Sequence, residues 1–139
     1  MDRRALDDRL LEFGADIIRL VESLPKTLVG KRVGDQLLRC GTSVGANYEE
    51  AQGAESKSDF IHKLQLSLKE IRESNYWLRL LAKAGTMSVE RLAPLIEESR
   101  QLRAILSKAV ATAKAKQIKE RGHHLRISSL LPFAFCLLP

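Results

Sequence analysis

Arg39-Cys40-Gly41-Thr42-Ser43-Val44-Gly45-Ala46-Asn47-Tyr48-Glu49-Glu50-Ala51 is the stretch on which the fold turns. It reads as the middle of a helix, although it is built from poor helix formers. Val33, Leu37, Cys40, Val44, Asn47 and Ala51 recur at spacings of four and three, which lays a continuous inward seam along one helical face and puts Asn47 on it. Gly41 and Gly45 lie one turn apart, and each costs roughly 1 kcal/mol against alanine in a helix. Close approach is the expected compensation: two missing side chains let a neighbouring backbone or a bulky ring come near.

Upstream, residues 4 to 24 place Leu6, Leu10, Phe13, Ile17, Leu20 or Val21, and Leu24 at helical spacing, with charged residues elsewhere. This pattern predicts an amphipathic helix. Pro25 ends it, and Lys26 to Gly34 reads as a connection punctuated by Gly30 and Gly34. Asp35 then sits where an acid favours the first turn of a second helix, which is expected to run to about Ala54.

Downstream, Ser56-Lys57-Ser58-Asp59 carries the cap chemistry of a third helix start. Its seam is Phe60, Leu64, Leu68, Ile71, Asn75, Leu78 and Ala82, with Ile61, Leu81, Tyr76 and Trp77 widening the apolar face. Gly85 lies where a left-handed C-cap belongs. Ser88 is placed to cap a fourth helix with the seam Leu92, Leu95 or Ile96, Ser99, Leu102, Leu106, Ala109 or Val110, and Ala113. Pro94 falls beyond the first turn, so the helix either kinks there or becomes regular near Leu92. Four amphipathic helices on short connections predict an all-α, antiparallel up-down-up-down four-helix bundle over residues 1–118. Residues 119–139, basic and then apolar, are expected to form a tail that is mobile or packs on the bundle or another subunit.

The chain has 139 residues and a formal charge of +6, but the charge is unevenly spread. From Arg100 onward eight basic residues face one acid, Glu120, while the preceding residues are close to neutral. That C-terminal excess suits phosphate backbones, an acidic partner or an anionic membrane surface, and equally a solvated helix end. Cys40 and Cys136 do not make a disulfide framework, which fits a reducing cytoplasm. The opening Met1-Asp2-Arg3-Arg4 does not read as a signal peptide. No run approaches the ~20 apolar residues of a membrane span.

Three patterns invite a chemical reading. Gly41-Thr42-Ser43-Val44-Gly45 matches the G-x-S-x-G of a serine hydrolase elbow, which requires a strand, a strained turn and a helix, whereas these residues continue a helical period on both sides. Asp59-Phe60-Ile61-His62 has a spacing related to that of di-metal bundle motifs, but one copy builds no site, and His123 and His124 lack acidic companions. No metal or cofactor is therefore expected. Arg39, Ser43, Asn47, Glu50 and Glu73 form the third pattern, a set of polar groups at or beside core positions, with Asn75 on the facing helix. They are expected to build an interhelical network through Ser43, Tyr48 or Arg39 that holds helix register, in preference to a catalytic role, because an unpaired buried polar group costs about 1–3 kcal/mol. Arg39 and Arg72 are candidate ion-pair partners.

The run Gln36-Leu37-Leu38-Arg39, then Ser43 through Glu50, Gly53 and Ser58-Asp59-Phe60-Ile61, continuing with Leu64, Leu68, Glu73 and Leu78, closely resembles the four-helix bundle proteins encoded in 23S rRNA intervening sequences. The spacing of Ser43, Asn47, Glu50 and Phe60 is its specific part, and the likeness covers about residues 5 to 115. The chain departs from the pattern at Ala51, where glycine is usual, and in its apolar tail. The resemblance implies a homopentamer of antiparallel bundles with no enzymatic activity. It extends to the accessory proteins of diversity-generating retroelements, which associate with a reverse transcriptase and its RNA.

Together these readings predict a cytoplasmic, non-catalytic homo-oligomeric scaffold that binds RNA or DNA by backbone charge. The candidate contacts are Arg100, Arg103, Lys108, Lys114, Lys116, Lys119 and Arg121, with Lys26, Lys31 and Arg32 at the opposite connection. The alternative is an interaction module docking on a nucleic-acid enzyme such as a reverse transcriptase.

Overall fold

The computed structural model describes the backbone of residues 2–130 and side chains as far as residue 124. Four helices follow one another: α1 Arg3–Glu22, α2 Leu28–Gln52, α3 Lys57–Ala84 and α4 Val89–Leu130. Each packs on its neighbour in the chain and α4 closes against α1, whereas the diagonal pairs α1–α3 and α2–α4 stay further apart. With connections this short, consecutive helices must run antiparallel, and the result is the expected up-down-up-down bundle. No strand occurs among the described residues.

The interior follows the apolar periods. Leu6, Leu10, Phe13, Ile17, Leu20 and Leu24 are buried on or just after α1, and Leu92, Leu95, Leu102, Leu106 and Val110 on α4. On α3 the buried line is Ile61, Leu64, Leu68, Ile71, Leu78 and Leu81, with Phe60 and Ala82 at its margin. Burying one such side chain fully stabilises by about 1.5–3 kcal/mol, so these stripes are the main source of the fold's stability.

The second helix starts earlier than the sequence suggests. Its N-cap is Thr27, whose hydroxyl accepts the amide of Gly30 at 3.1 Å, so Gly30 and Gly34 lie inside α2 rather than in a connection. Gly30 is there because the chain turns tightly after Pro25: a Cβ would collide with the Pro25 carbonyl oxygen. Crowding within this tight local turn, not a helix stop, accounts for that glycine.

The other boundaries follow local chemistry. Ser56 Oγ accepts the Asp59 amide at 3.0 Å at the start of α3, and Gly85 ends it with φ 70°. Such a φ is nearly free of cost only for glycine. The fourth helix begins at Val89, beside Ser88, and carries Pro94 inside it. It also runs without a break past residue 118 to Leu130, so the basic part of the expected tail continues α4. The apolar residues 131–139, Cys136 among them, lie outside the described residues.

Candidate nucleic-acid interface and the polar seam

The basic residues of α4 are arranged by helical geometry. At about 100° per residue, Arg103, Lys114 and Arg121 fall within about 20° of one another, beside the buried face. Lys108 and Lys119 form a second line opposite the buried Leu102, Leu106 and Val110, and Lys116 lies at its flank. All six are exposed. None has a carboxylate within ion-pair distance among the described residues. Arg100 differs, because Glu97 already holds its guanidinium through bonds of 2.9 and 2.7 Å. Hydrogen bonds from Arg100 and then Gln101 push the Glu97 carboxyl down to about 2.

The end of the bundle supports this helix. Gln117 donates to Ser58 Oγ at 2.9 Å, and Lys57 pairs with Glu120, which holds that carboxyl below the usual range. Beyond Glu120, α4 continues for about 15 Å at 1.5 Å per residue. Glu120, the acid of the C-terminal segment, is thus engaged by Lys57, leaving the lysines and arginines around it to set the local potential. Lys26, Lys31 and Arg32 are exposed at the opposite end of the bundle and form a separate cluster.

The expected polar network takes a different form. Arg39 is exposed and reaches across to α3, pairing with Glu73 and, at 3.2 Å, with Glu70. Trp77 Nε1 also donates to Glu73 at 3.2 Å. The Arg39 guanidinium, ahead of the Trp77 bond, lowers the Glu73 carboxyl, while partial burial opposes both. Ser43 Oγ instead donates to the carbonyl of Arg39 at 2.6 Å, and Asn47 Nδ2 to that of Ser43 at 2.9 Å, both within α2. Glu50 is exposed and pairs with Lys63 at 2.5 Å. Arg39, Ser43, Asn47, Glu50 and Glu73 therefore do not form a buried core network. The seam keeps Leu37, Cys40, Val44 and Ala51 inward, but Tyr48, not Asn47, takes the position between the last two, leaving Asn47 half-buried within reach of its own backbone.

Buried polar groups occur elsewhere. Asn75 Nδ2 donates to Ser99 Oγ at 2.8 Å between α3 and α4, and Ser99 Oγ donates in turn to the Ile96 carbonyl at 2.7 Å. Arg79 Nε closes the chain on Asn75 Oδ1 at 2.8 Å. Ser67 Oγ donates to the Val44 carbonyl at 2.7 Å, and Ser74 lies 3.3 Å from Cys40 Sγ between α2 and α3. Asn75 and Ser99 stand on the apolar seams of the sequence, whereas Ser67 and Ser74 do not stand out there because serine carries no apolar signal. Burial pushes the Cys40 thiol up, with the Ser74 bond opposing it.

Ser43 lies in continuous helix, so the Gly41–Gly45 segment does not adopt the strand-turn-helix shape of a hydrolase elbow. Among the described residues no three His, Cys, Asp or Glu side chains cluster as a metal site would require. No helix there is long and apolar enough to cross a membrane.

The architecture and the sequence both have counterparts among known proteins. A crystal structure of a protein of unknown function from the S23 ribosomal protein family of Bacteroides thetaiotaomicron VPI-5482 superposes with a TM-score of 0.68 at 35% identity. The match covers 76% of this chain and 97% of the other. A search of curated proteins gives no match. The family model for the 23S rRNA-intervening sequence protein matches residues 8–108, from the first buried turns of α1 to the middle of α4. With that match spanning most of the bundle, the chain belongs to the 23S rRNA-intervening sequence protein family.

Proposed function

We propose that this protein is a cytoplasmic, non-catalytic homo-oligomeric scaffold that binds RNA or DNA through backbone charge. The observation that supports this reading is the pair of exposed basic lines on α4, Arg103–Lys114–Arg121 and Lys108–Lys119. Phosphate groups repeat along a nucleic acid, so cations repeating along a rigid helix neutralise several at once and release counterions. Among the described residues few exposed aromatic rings accompany them, and none stands on α4 as a platform for stacking bases. The contact is therefore electrostatic and indifferent to base sequence. Oligomerisation would multiply it, because several copies of a modest phosphate-binding helix add through effective concentration.

Titration of a labelled RNA hairpin and a DNA duplex against the full chain at increasing salt tests this. The expected result is a log affinity that falls linearly with log salt, with a slope reduced by about 2–3 in an Arg103→Gln/Lys114→Gln/Arg121→Gln variant. Binding that is flat in salt, or unchanged in the variant, overturns the proposal. A polymerase partner retained on the protein after nuclease digestion would instead favour the alternative of direct docking on a nucleic-acid enzyme.

A further inference from the structure

Two surfaces of the bundle are apolar where solvent should meet polar groups. The first is a groove of about 390 Å³ between α1 and α2. Leu11 and Ile18, 75% and 42% exposed, stand on its α1 side. Small residues line it from both helices, Gly14 and Ala15 from α1 and Gly45 and Ala46 from α2. The helices are close there, since a Cβ on Gly45 would sit 3.6 Å from the backbone of Leu10. Asp7 and Glu49 line the same groove.

The second surface is a ridge on the outer side of α3. Tyr76 lies two residues before the buried Leu78, about 200° around the helix, so it points away from the core. Tyr76 and Leu80 are 50% and 38% exposed and one turn apart, which makes a continuous ridge. Arg79 and Lys83 flank it. The Tyr76 and Trp77 rings meet in a T-shaped arrangement, the centroids being 5.2 Å apart.

We infer that the Tyr76–Leu80 ridge of one copy docks in the α1–α2 groove of a second copy. This names the contact surfaces of the homo-oligomer and rests on the oligomeric reading above. Shape agrees: a ridge at four-residue spacing meets a cleft lined by small side chains, the arrangement that lets helices pack closely. Charge agrees: Arg79 and Lys83 come toward Asp7 and Glu49, whereas groove on groove or ridge on ridge would oppose like charges. Because α3 stands diagonally from α1, ridge and groove occupy different sides of the bundle. The contact is therefore heterologous, and it propagates from copy to copy into a ring or a filament instead of stopping at a two-fold dimer.

Native mass spectrometry and light scattering on the full chain test this with Leu11→Asp, which spoils only the groove, and Tyr76→Asp, which spoils only the ridge. Both residues are exposed, and circular dichroism with a melting curve establishes that each variant is folded. Wild type is expected to be larger than a dimer and each variant monomeric. An equimolar mixture is expected to form a one-to-one dimer and nothing larger, since only one intact groove and one intact ridge remain. Variants that keep the wild-type mass, or a Tyr76→Asp protein that assembles while Leu11→Asp does not, overturn the assignment of surfaces and leave the oligomeric reading standing. A monomeric wild type overturns both.

Discussion

The Cβ that Gly41 lacks would lie 2.7 Å from Cγ2 of Ile17, so α1 and α2 meet at a point where no side chain fits. Ile17 is completely buried, and its branched Cβ leaves little rotamer freedom with which to retreat. Gly41→Ala is therefore expected to destabilise the protein by about 1–3 kcal/mol through overpacking, offset in part by alanine's better helix propensity of roughly 1 kcal/mol. At Gly45 the added methyl would meet Leu10 at an ordinary 3.6 Å, so Gly45→Ala is expected to be neutral or stabilising by up to about 1 kcal/mol. Denaturant unfolding of the two variants checks the contrast, and equal effects would refute it.

Asn75 and Ser99 join α3 to α4 in the interior. Asn75→Ala leaves the Ser99 hydroxyl and Arg79 without that partner and is expected to cost about 1–3 kcal/mol. A double-mutant cycle with Ser99→Ala should return a coupling of about 0.5–3 kcal/mol. Strict additivity would show that the bond contributes nothing of its own.

The Arg39–Glu73 pair predicts a small pH dependence. Glu73 has a folded pKa below its ordinary value, so its contribution is complete above the ordinary carboxylate range and is lost as pH falls through the lowered folded value. The pair is largely solvated, which limits its worth to about 0–1 kcal/mol. Melting temperatures of wild type and Glu73→Gln should therefore differ near neutrality and converge toward acid. A gap that widens on acidification would reverse the sign and reject the assignment.

Lys108 and Lys119 lie on the side of α4 opposite the core. Replacing either by glutamine is expected to lower nucleic-acid affinity by the same factor for every base sequence, with a salt slope shallower by about 0.9. Fold stability should stay within about 0.5 kcal/mol, as for other open surface sites. Sequence-dependent losses would point to base contacts. Arg100→Gln should have the smaller effect on binding, because Glu97 already occupies that guanidinium.

Much of the bundle could be read locally. The apolar stripes of α1, α3 and α4, the Ser56 cap and the Gly85 stop depend on neighbours within a turn or two, and the chain carries them in its spelling. The candidate interface was legible for the same reason: exposure of Arg103, Lys114 and Arg121 follows from their angle to the leucines of their own helix. Asn47 is hard to place from sequence because α2, rich in small residues, presents little apolar contrast, and the larger, more apolar Tyr48 beside it takes the buried position between Val44 and Ala51. Tyr76 has the hydrophobicity of an inward residue, but its angle to Leu78 turns it outward.

By itself, then, the sequence determined four amphipathic helices, their order and the uneven placement of charge, since these rest on periodicity and composition. Only the tertiary structure decided that Gly41 marks a collision avoided, and that Arg39 reaches to Glu73 and Glu70. Those outcomes depend on which residues of different helices arrive at the same height. That register is set by the packing of the whole bundle, and no single segment encodes it.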